Sequence, residues 1–277
     1  MKKIKLIADS SCELNETICR SLSTVSVPLT MTIGDDHFVD DGHMDMPVFL
    51  DKLAHLRTAA KSACPSPHDF LQHCQKGDRV FFLTLSSKLS GSYQSAVVAA
   101  QEAEEMGVEA CALDSQSASA GETCIAMKLA ELAEQGLSFG EIREQIQKFI
   151  GQMRTFFCLE HLDVFIHNGR INKLIGKLAG VLNIRLILGD DGSGSIALFD
   201  KGRGEAQSMQ KLLSAAEKHA EAPEKKDLVI SYCACRERAE QLAQAIREKI
   251  PFRRIQLMET AGLSSLYANA GGIILAF

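Results

Sequence analysis

Along the first half of the chain, short apolar runs alternate with longer stretches whose apolar positions recur every three or four residues. Ile4 to Ala8, Val25 to Leu29, Val80 to Leu83 and Glu109 to Leu113 are the runs, and each reads as a buried strand. The stretches between them read as helices. Asn15 to Leu22 is a short one. Asp45 caps a second, with Pro47 in its first turn and Val48, Phe49, Leu50, Leu53 and Leu56 along it before it gives out near Arg57. Ser66 caps a third, with Pro67 at the first position, running to about Gln75; the tract Ser62-Ala63-Cys64-Pro65 ahead of it is held out of regular helix by the prolines. Tyr93 to about Met106, Ala118 to Gln135 and, behind Ser138, Phe139 to Met153 complete the set. Gly34-Asp35-Asp36 marks a hairpin within Met31 to Asp41. Strand and helix in turn predict a mainly parallel sheet with helices on both faces.

Past Thr155 the pattern changes. Arg154 to Leu159 is extended, and an apolar strand at Leu162 to Phe165 leads into Asn168-Gly169-Arg170-Ile171 and a short helix, Leu174 to Val181. Asn183 to Leu188 and Ile196 to Phe199 flank the turn Gly192-Ser193-Gly194, an antiparallel hairpin that a doubly wound domain rarely includes. Glu205 to Glu221 and Arg236 to Lys249 follow as helices, Leu228 to Cys233 and Arg254 to Met258 as strands, and the tail from Gly271 to Phe277 is very apolar. This half predicts a second, α+β domain, with the boundary near residues 150 to 160.

Ligands of parallel α/β sheets sit at the carboxyl ends of the strands. Three small, polar turns fall there: Asp9-Ser10-Ser11, Ser86 to Ser92 and Asp114 to Ser119. The second runs through Ser86, Ser87, Ser90, Gly91 and Ser92 into a helix whose first N–H groups and dipole suit a phosphate or a carboxylate. The plainer reading is a serine-rich cap that serves only its own helix. Arg170, beside Gly169, can offer a planar charged fork to the same kind of anion, against the alternative of a solvated surface arginine. Ser62 adds a hydroxyl in an irregular loop.

Composition narrows the class. The 277 residues are 46% hydrophobic and 23% charged, as in a globular protein, and the formal charge of −5 comes without a basic block, which disfavours a nucleic-acid partner. No run reaches the roughly 20 apolar residues of a membrane span. The apolar stretch near the N-terminus stops at Asp9, too soon for a signal peptide, so a cytoplasmic location is expected. Nine scattered cysteines suit reduced thiols. Cys233 and Cys235, two apart, are expected to fill one face of a strand rather than hold a metal. There is no G-x-S-x-G elbow, no Walker sequence and no G-x-G-x-x-G after the first strand, and no histidine lies in a nucleophile motif. The motifs therefore assign no catalytic residue.

Six stretches together resemble the DegV family, the bacterial fatty-acid-binding proteins that include the FakB-type subunits of fatty acid kinase. They are IADSSCEL near the start, SACPSP at Ser62 to Pro67, LSSKLSGSYQSA at Leu85 to Ala96, and LDSQSASAGE at Leu113 to Glu122; LEHLDVFIHNGRINK at Leu159 to Lys173 and LAGVLNIRLIL at Leu178 to Leu188 follow. The resemblance spans essentially the whole chain. It implies an α/β protein of two domains, a three-layer α/β/α domain with a parallel sheet over residues 1–155 and an α+β domain with a mixed sheet over 156–277. It implies one long-chain fatty acid, its tail in an apolar tunnel and its carboxylate at the domain interface. Ser62 and the turn of Ser90 and Gly91 would hold that carboxylate, with Arg170 in the polar network beside it. It further implies a carrier with no catalytic residue, cofactor or metal, which presents the acid to a separate fatty acid kinase for conversion to an acyl phosphate.

Three positions depart from the family pattern. Ser62-Ala63-Cys64 stands where the family has Thr-Ser-Gln, and Ser62 keeps the hydroxyl. Asn168-Gly169-Arg170-Ile171 stands for GGRI. A C-terminal H-x-G-P-G is absent, with Ala268 where its histidine falls, and Tyr267 or Asn269 becomes the candidate for the missing hydrogen bond. Two rivals stand beside the carrier. One is an enzyme acting on a small carboxylate or phosphate at the Ser90 turn, which needs a compact polar pocket with a paired base. The other is a DegV-like interaction module that has lost lipid binding, its tunnel filled by bulky side chains.

Overall fold

A computed structural model describes residues 3–55, 60–172, 175, 176, 178 and 183–277. In chain order the first half reads β1 (Lys5–Asp9), α1 (Glu16–Ser21), β2 (Ser23–Val27), β3 (Thr30–Ile33), β4 (Asp36–Val39), α2 (Met46–Ala54) and β5 (Lys61–Ala63). It continues with α3 (Pro67–Leu71), β6 (Arg79–Thr84), α4 (Ser92–Glu105), β7 (Glu109–Asp114), α5 (Ala120–Glu134) and α6 (Phe139–Gln152). The expected caps are in place: the side chains of Asp45, Ser66 and Ser138 each accept a backbone N–H in the first turn of their helix, and Asn15 does the same for α1. Ser66 and Ser138 go further and form capping boxes with Asp69 and Glu141. The α3 helix ends at Leu71, short of the expected Gln75, and the expected end of α2 near Arg57 lies outside the described residues.

Strands β2, β1, β6 and β7 pair in that order, all parallel. Successive side chains leave a strand on opposite faces. Ile7, Val80 and Phe82 therefore join the alanine-rich face of α4 (Ala96, Ala99, Ala100, Ala103), whose small side chains let helix and sheet approach closely. Leu6, Phe81 and Leu83 join α5 and α6 on the other face. Covered on both sides, β6 has no solvent face to mark with polar residues, which is why it reads as the unbroken run VFFLT. The β3–β4 hairpin turns through Gly34 at φ +62°, and β5 adds to the other edge of β3 with Ser62 opposite Met31. The loop expected around Ser62 is thus a short edge strand.

The second half reads β8 (Thr155–Cys158), α7 (Asp163–His167), β9 (Ile184–Asp190), β10 (Ile196–Arg203), α8 (Gly204–His219), β11 (Asp227–Tyr232) and α9 (Arg236–Lys249). It ends with β12 (Arg254–Glu259), α10 (Gly262–Ala268) and β13 (Ile273–Ala276). Its strands form a mixed sheet in the order β10-β9-β8-β13-β11-β12, with β11 and β12 parallel and the other neighbours antiparallel. Helices α8 and α9 cover one face through Leu212, Leu213, Leu242 and Ile246, against Leu228, Ile230 and Leu275. The alternate residues Val229 and Ala276 face the other way and pack on α5. Helix α5 is therefore held between the two sheets, which buries it nearly all round, Glu122 and Thr123 included.

Two expectations are corrected here, and one helix was missed. The apolar run at Leu162 to Phe165 is not a strand but enters helix α7; a run that short does not distinguish the two by periodicity. Helix α10 went unforeseen. Cys233 lies past the end of β11 and Cys235 caps α9, so the two do not share a strand face. The helix expected at 174–181 falls largely outside the described residues. Among the described residues no helix is long and apolar enough to cross a membrane.

Candidate functional site

The carboxyl ends of β1, β6 and β7 lie side by side in the parallel sheet, so the three polar turns that follow them meet. Asp9 ties the first two together: its carboxylate accepts Leu85 N–H at 3.0 Å and Ser11 N–H at 3.2 Å. Asp114 ties the second to the third, accepting Ser87 N–H at 3.1 Å and Gln116 N–H at 3.0 Å. Ser86 then reaches the other half of the chain, donating to Gly194 O at 2.8 Å. A cavity of about 310 Å³ opens between these turns and the mixed sheet. Its walls include Leu29, Leu85, Leu89, Phe157, Leu159, Phe165, Ile196, Leu263 and Ile274.

One pole of the cavity is polar, and it assembles most of the residues singled out from the sequence. Ser62, Ser90, Gly91 and Arg170 all line it, together with Tyr267. Ser62 Oγ and Tyr267 OH are 3.3 Å apart, and Asn168 Nδ2 donates to Ala60 O at 3.0 Å and reaches Tyr267 OH at 3.5 Å. The tyrosine ring leans on Phe165, with centroids 4.7 Å apart. Ser90 Oγ accepts Ser92 N–H at 3.2 Å, so this hydroxyl does serve its own helix while also facing the cavity. Gly91 packs closely on Cys64: a Cβ there would lie 3.1 Å from its Sγ, so the exposed thiol would have to shift by a few tenths of an ångström.

Arg170 owes its position to a helix end. Gly169, at φ +68°, donates to Ile166 O and Arg170 N–H reaches back to Phe165 O at 2.9 Å, the paired bonds of a Schellman motif closing α7. The guanidinium is steadied by two carbonyls, Leu89 O at 3.2 Å from Nε and Asn168 O, leaving further N–H donors for an anion. Asn269 is not brought to the cavity. It sits past the end of α10 at φ +54°, where its Oδ1 accepts Ala270 N–H, and its role is to stop the helix. Tyr267, two residues earlier on the helix, is the one that faces Ser62.

Helix α10 is aimed by a residue far away in sequence. Asp40, just past β4, accepts Gly262 N–H and Leu263 N–H, each at 2.8 Å, and so caps α10 from outside. Gly262 lets this happen, since a Cβ there would fall 2.6 Å from Asp40 Oδ1 and against the methyl of Met44.

Further hydroxyls line the cavity: Ser11, Ser117 and Ser119 come from two of the polar turns expected at the strand ends, whereas Thr155 and Ser264 were not foreseen. Behind them stand two buried glutamates. Ser11 donates to Glu122, and Ser119 donates to Glu13 at 2.9 Å, at the cost of a positive φ (+53°) at Ser119. Burial pushes Glu13 up to about 7 against the hydrogen bonds of Ser264 and Ser119. Burial first, and then the nearby Asp9 charge, push Glu122 well above the usual carboxyl range, while burial raises Asp9 to about 6. The signal was present in the sequence as the acid that closes the two motifs IADSSCE and SASAGE.

The model of the DegV family of uncharacterised proteins matches residues 3–276. The chain belongs to the DegV family. A DegV domain-containing protein of Streptococcus gordonii is 33% identical over 277 residues, covering 99% of this chain and 98% of the relative. Among solved structures, a DegV-family protein from Ruminococcus gnavus, refined with vaccenic acid, superimposes at a TM-score of 0.93, with 34% identity and 99% of each chain covered. The Fatty Acid Kinase (Fak) B3 protein of Streptococcus pneumoniae, loaded with linoleic acid, also gives 0.93, at 33% identity over 100% of this chain and 99% of that one. A DegV protein from Eubacterium eligens loaded with heptadecanoic acid gives 0.91, at 29% identity over 99% of this chain and 98% of its own. The architecture of a parallel sheet joined to a mixed sheet is thus the DegV architecture.

Proposed function

We propose that this DegV protein binds one long-chain fatty acid and carries it to a separate fatty acid kinase. The carboxylate lies at the polar pole among Ser62, Ser90, Arg170 and Tyr267, the tail along the apolar walls. The carrying observation is the cavity itself: mostly apolar, with Ser62, Ser90, Arg170 and Tyr267 gathered at one pole, in a chain 33–34% identical to two lipid-loaded DegV structures. Each methylene taken from water contributes about 0.8 kcal/mol, so a tail of about sixteen carbons supplies a gross gain of roughly 12 kcal/mol before the cost of association is subtracted. The tail sets affinity and the hydroxyls and guanidinium set placement.

A carrier is favoured over an enzyme by what the lining offers. Among the described residues that line the cavity there is no histidine, Glu13 and Glu122 stand behind the serines, and the lining carboxylate, Asp190, is occupied by the N–H groups of Thr155 and Gly192. Similarity to the pneumococcal Fatty Acid Kinase (Fak) B3 protein supports the kinase partner in this reading, and with it a cytoplasmic working place beside that enzyme.

Native mass spectrometry of protein purified from a bacterial host, with organic extraction of the bound material, tests the reading. One fatty acid per chain is expected, with occupancy lowered in Ser62→Ala and Ser90→Ala variants. A ligand-free mass that does not change on incubation with oleate or palmitate refutes it.

A further inference from the structure

On the far side of the Met153–Thr155 segment lies a second and larger cavity, about 780 Å³, which shares no lining residue with the first. It is a cleft bounded by α5, by the carboxyl ends of α6 and α8, and by the turn that leads into β11. Its floor is apolar, made by Phe149, Met153 and the C-terminal Phe277. Its rim is basic: Lys148 from α6, Lys218 from α8, and Lys225 and Lys226 from the turn, with Arg154 between them. That concentration of one sign stands out in a chain whose formal charge is −5.

The acids in the cleft do not neutralise this rim. Asp227 is held by Arg253 at 2.9 Å and by Arg254 at 2.6 Å. Glu131 is held by Arg253 at 2.8 Å and by Lys128 at 2.9 Å. Those pairs consume each other, which leaves Glu221 as the remaining side-chain carboxylate against four lysines that have no ion-pair partner among the described residues. Arg154 donates to Met153 O at 3.1 Å, and its ion pair with Asp190 is long, 4.0 Å. Two helix carboxyl ends abut the cleft and each adds about half a negative charge, so the lysines partly answer the helix dipoles. Four lysines exceed the roughly one charge that two such ends supply. Lys226 is the telling member, because it is half-buried with its ammonium 5.9 Å over the Phe277 ring, and burial holds its pKa below the usual lysine value against the more distant charge of Glu221. Among the described residues no carboxylate reaches ion-pair distance of it, and a half-buried ammonium without such a contact is unfavourable.

We propose that this cleft is a second ligand site, which takes a small organic phosphate of nucleotide size. The chemistry recognised is a phosphate ester or anhydride: compact oxyanions suit several converging ammonium groups, and the apolar floor suits the organic part of the molecule. The volume is that of a small-molecule site and far exceeds what an inorganic ion fills. The inference does not depend on the fatty-acid reading, since the two cavities share no lining residue.

Isothermal titration of the full chain with ATP, ADP and pyrophosphate is the test, with phosphatidylglycerol vesicles as a separate arm for a lipid headgroup. The expected result is saturable, one-site binding of ATP or ADP, weaker for pyrophosphate. Lys148→Ala, Lys225→Ala and Lys226→Gln should each weaken it roughly tenfold, the loss of one charge-assisted contact. Lys52→Ala, on a lysine paired with Asp36 elsewhere, should leave it unchanged. Fatty-acid occupancy, read on the same samples by native mass spectrometry, should be the same in all four variants. Absence of saturable nucleotide binding overturns the proposal, as does binding that survives the three lysine replacements combined. Binding to the vesicles alone also overturns it and assigns the basic rim to a membrane surface.

Discussion

Replacing Tyr267 by phenylalanine deletes one hydroxyl at the polar pole and leaves the ring against Phe165. In the ligand-free protein the loss is small, because both contacts of that hydroxyl are long, 3.3 Å to Ser62 and 3.5 Å to Asn168 Nδ2. With a carboxylate bound the hydroxyl can donate to a charged acceptor, a bond of about 1.5–3 kcal/mol. Subtracting about 0.5–1 kcal/mol for the Ser62 contact it gives up leaves a net of roughly 1–2 kcal/mol, or about 5- to 30-fold in Kd. That is close to the effect of shortening the tail by two methylenes, about 1.6 kcal/mol, so the two changes calibrate each other. The assay is displacement of a fluorescent fatty acid by oleate and by oleyl alcohol, the alcohol having the same tail and no charge. Tyr267→Phe should weaken oleate by the stated factor and the alcohol by about threefold at most. Equal losses for both, or an oleate Kd within about twofold of wild type, refute the assignment of Tyr267 to the head group.

Glu13→Gln tests the buried acid behind the inner wall. The folded form holds the proton to about 7 against an ordinary value of 4.5, so folding is penalised progressively as pH rises from 4.5 to 7 and by a constant amount above that. The full penalty is about 3 kcal/mol as an upper figure, and the amide should raise thermal stability at pH 8 while leaving it nearly unchanged at pH 4.5; equal shifts at both pH values would count against the buried-acid account. Asp40→Ala should loosen α10 by removing two charge-assisted bonds, about 2 kcal/mol, and should weaken fatty-acid binding through Tyr267, whereas Asp40→Asn keeps one acceptor and should lose less. Chemical denaturation paired with the displacement assay distinguishes the two variants, and binding unchanged in Asp40→Ala would show that α10 does not position the site.

Much of the secondary structure was legible because its signals are local. A cap such as Ser66 or Ser138 bonds N–H groups three residues away, and the apolar runs of β1, β6 and β7 advertise burial wherever they end up. Ser62, Ser90, Gly91 and Arg170, which the structure brings to one cavity, were singled out for a different reason, since their motifs resemble those of the family. The misreadings share a cause as well. Asn269 and Tyr267 are equally polar and two residues apart, and only the end of α10 decides which one turns toward Ser62. The strand expected before Arg170 and the helix found there differ by long-range packing that a four-residue apolar run does not encode.

The sequence by itself determined most of the succession of strands and helices, with β5, α7 and α10 the exceptions, together with the helix starts, the polar turns at the strand ends and the family. Each rests on neighbours within a few positions or on motif order. Only the tertiary structure decided what the turns meet. Ser62 and Tyr267 are 205 positions apart, Asp40 caps a helix 222 positions away, and Glu13 touches Ser231 across the space between the two sheets. Such contacts exist because α5 is clamped between the sheets and brings both halves onto one cavity. The burial that raises Glu13 and Glu122, like the basic rim gathered from α6, α8 and the turn into β11, comes from the same distant chain segments closing on one another.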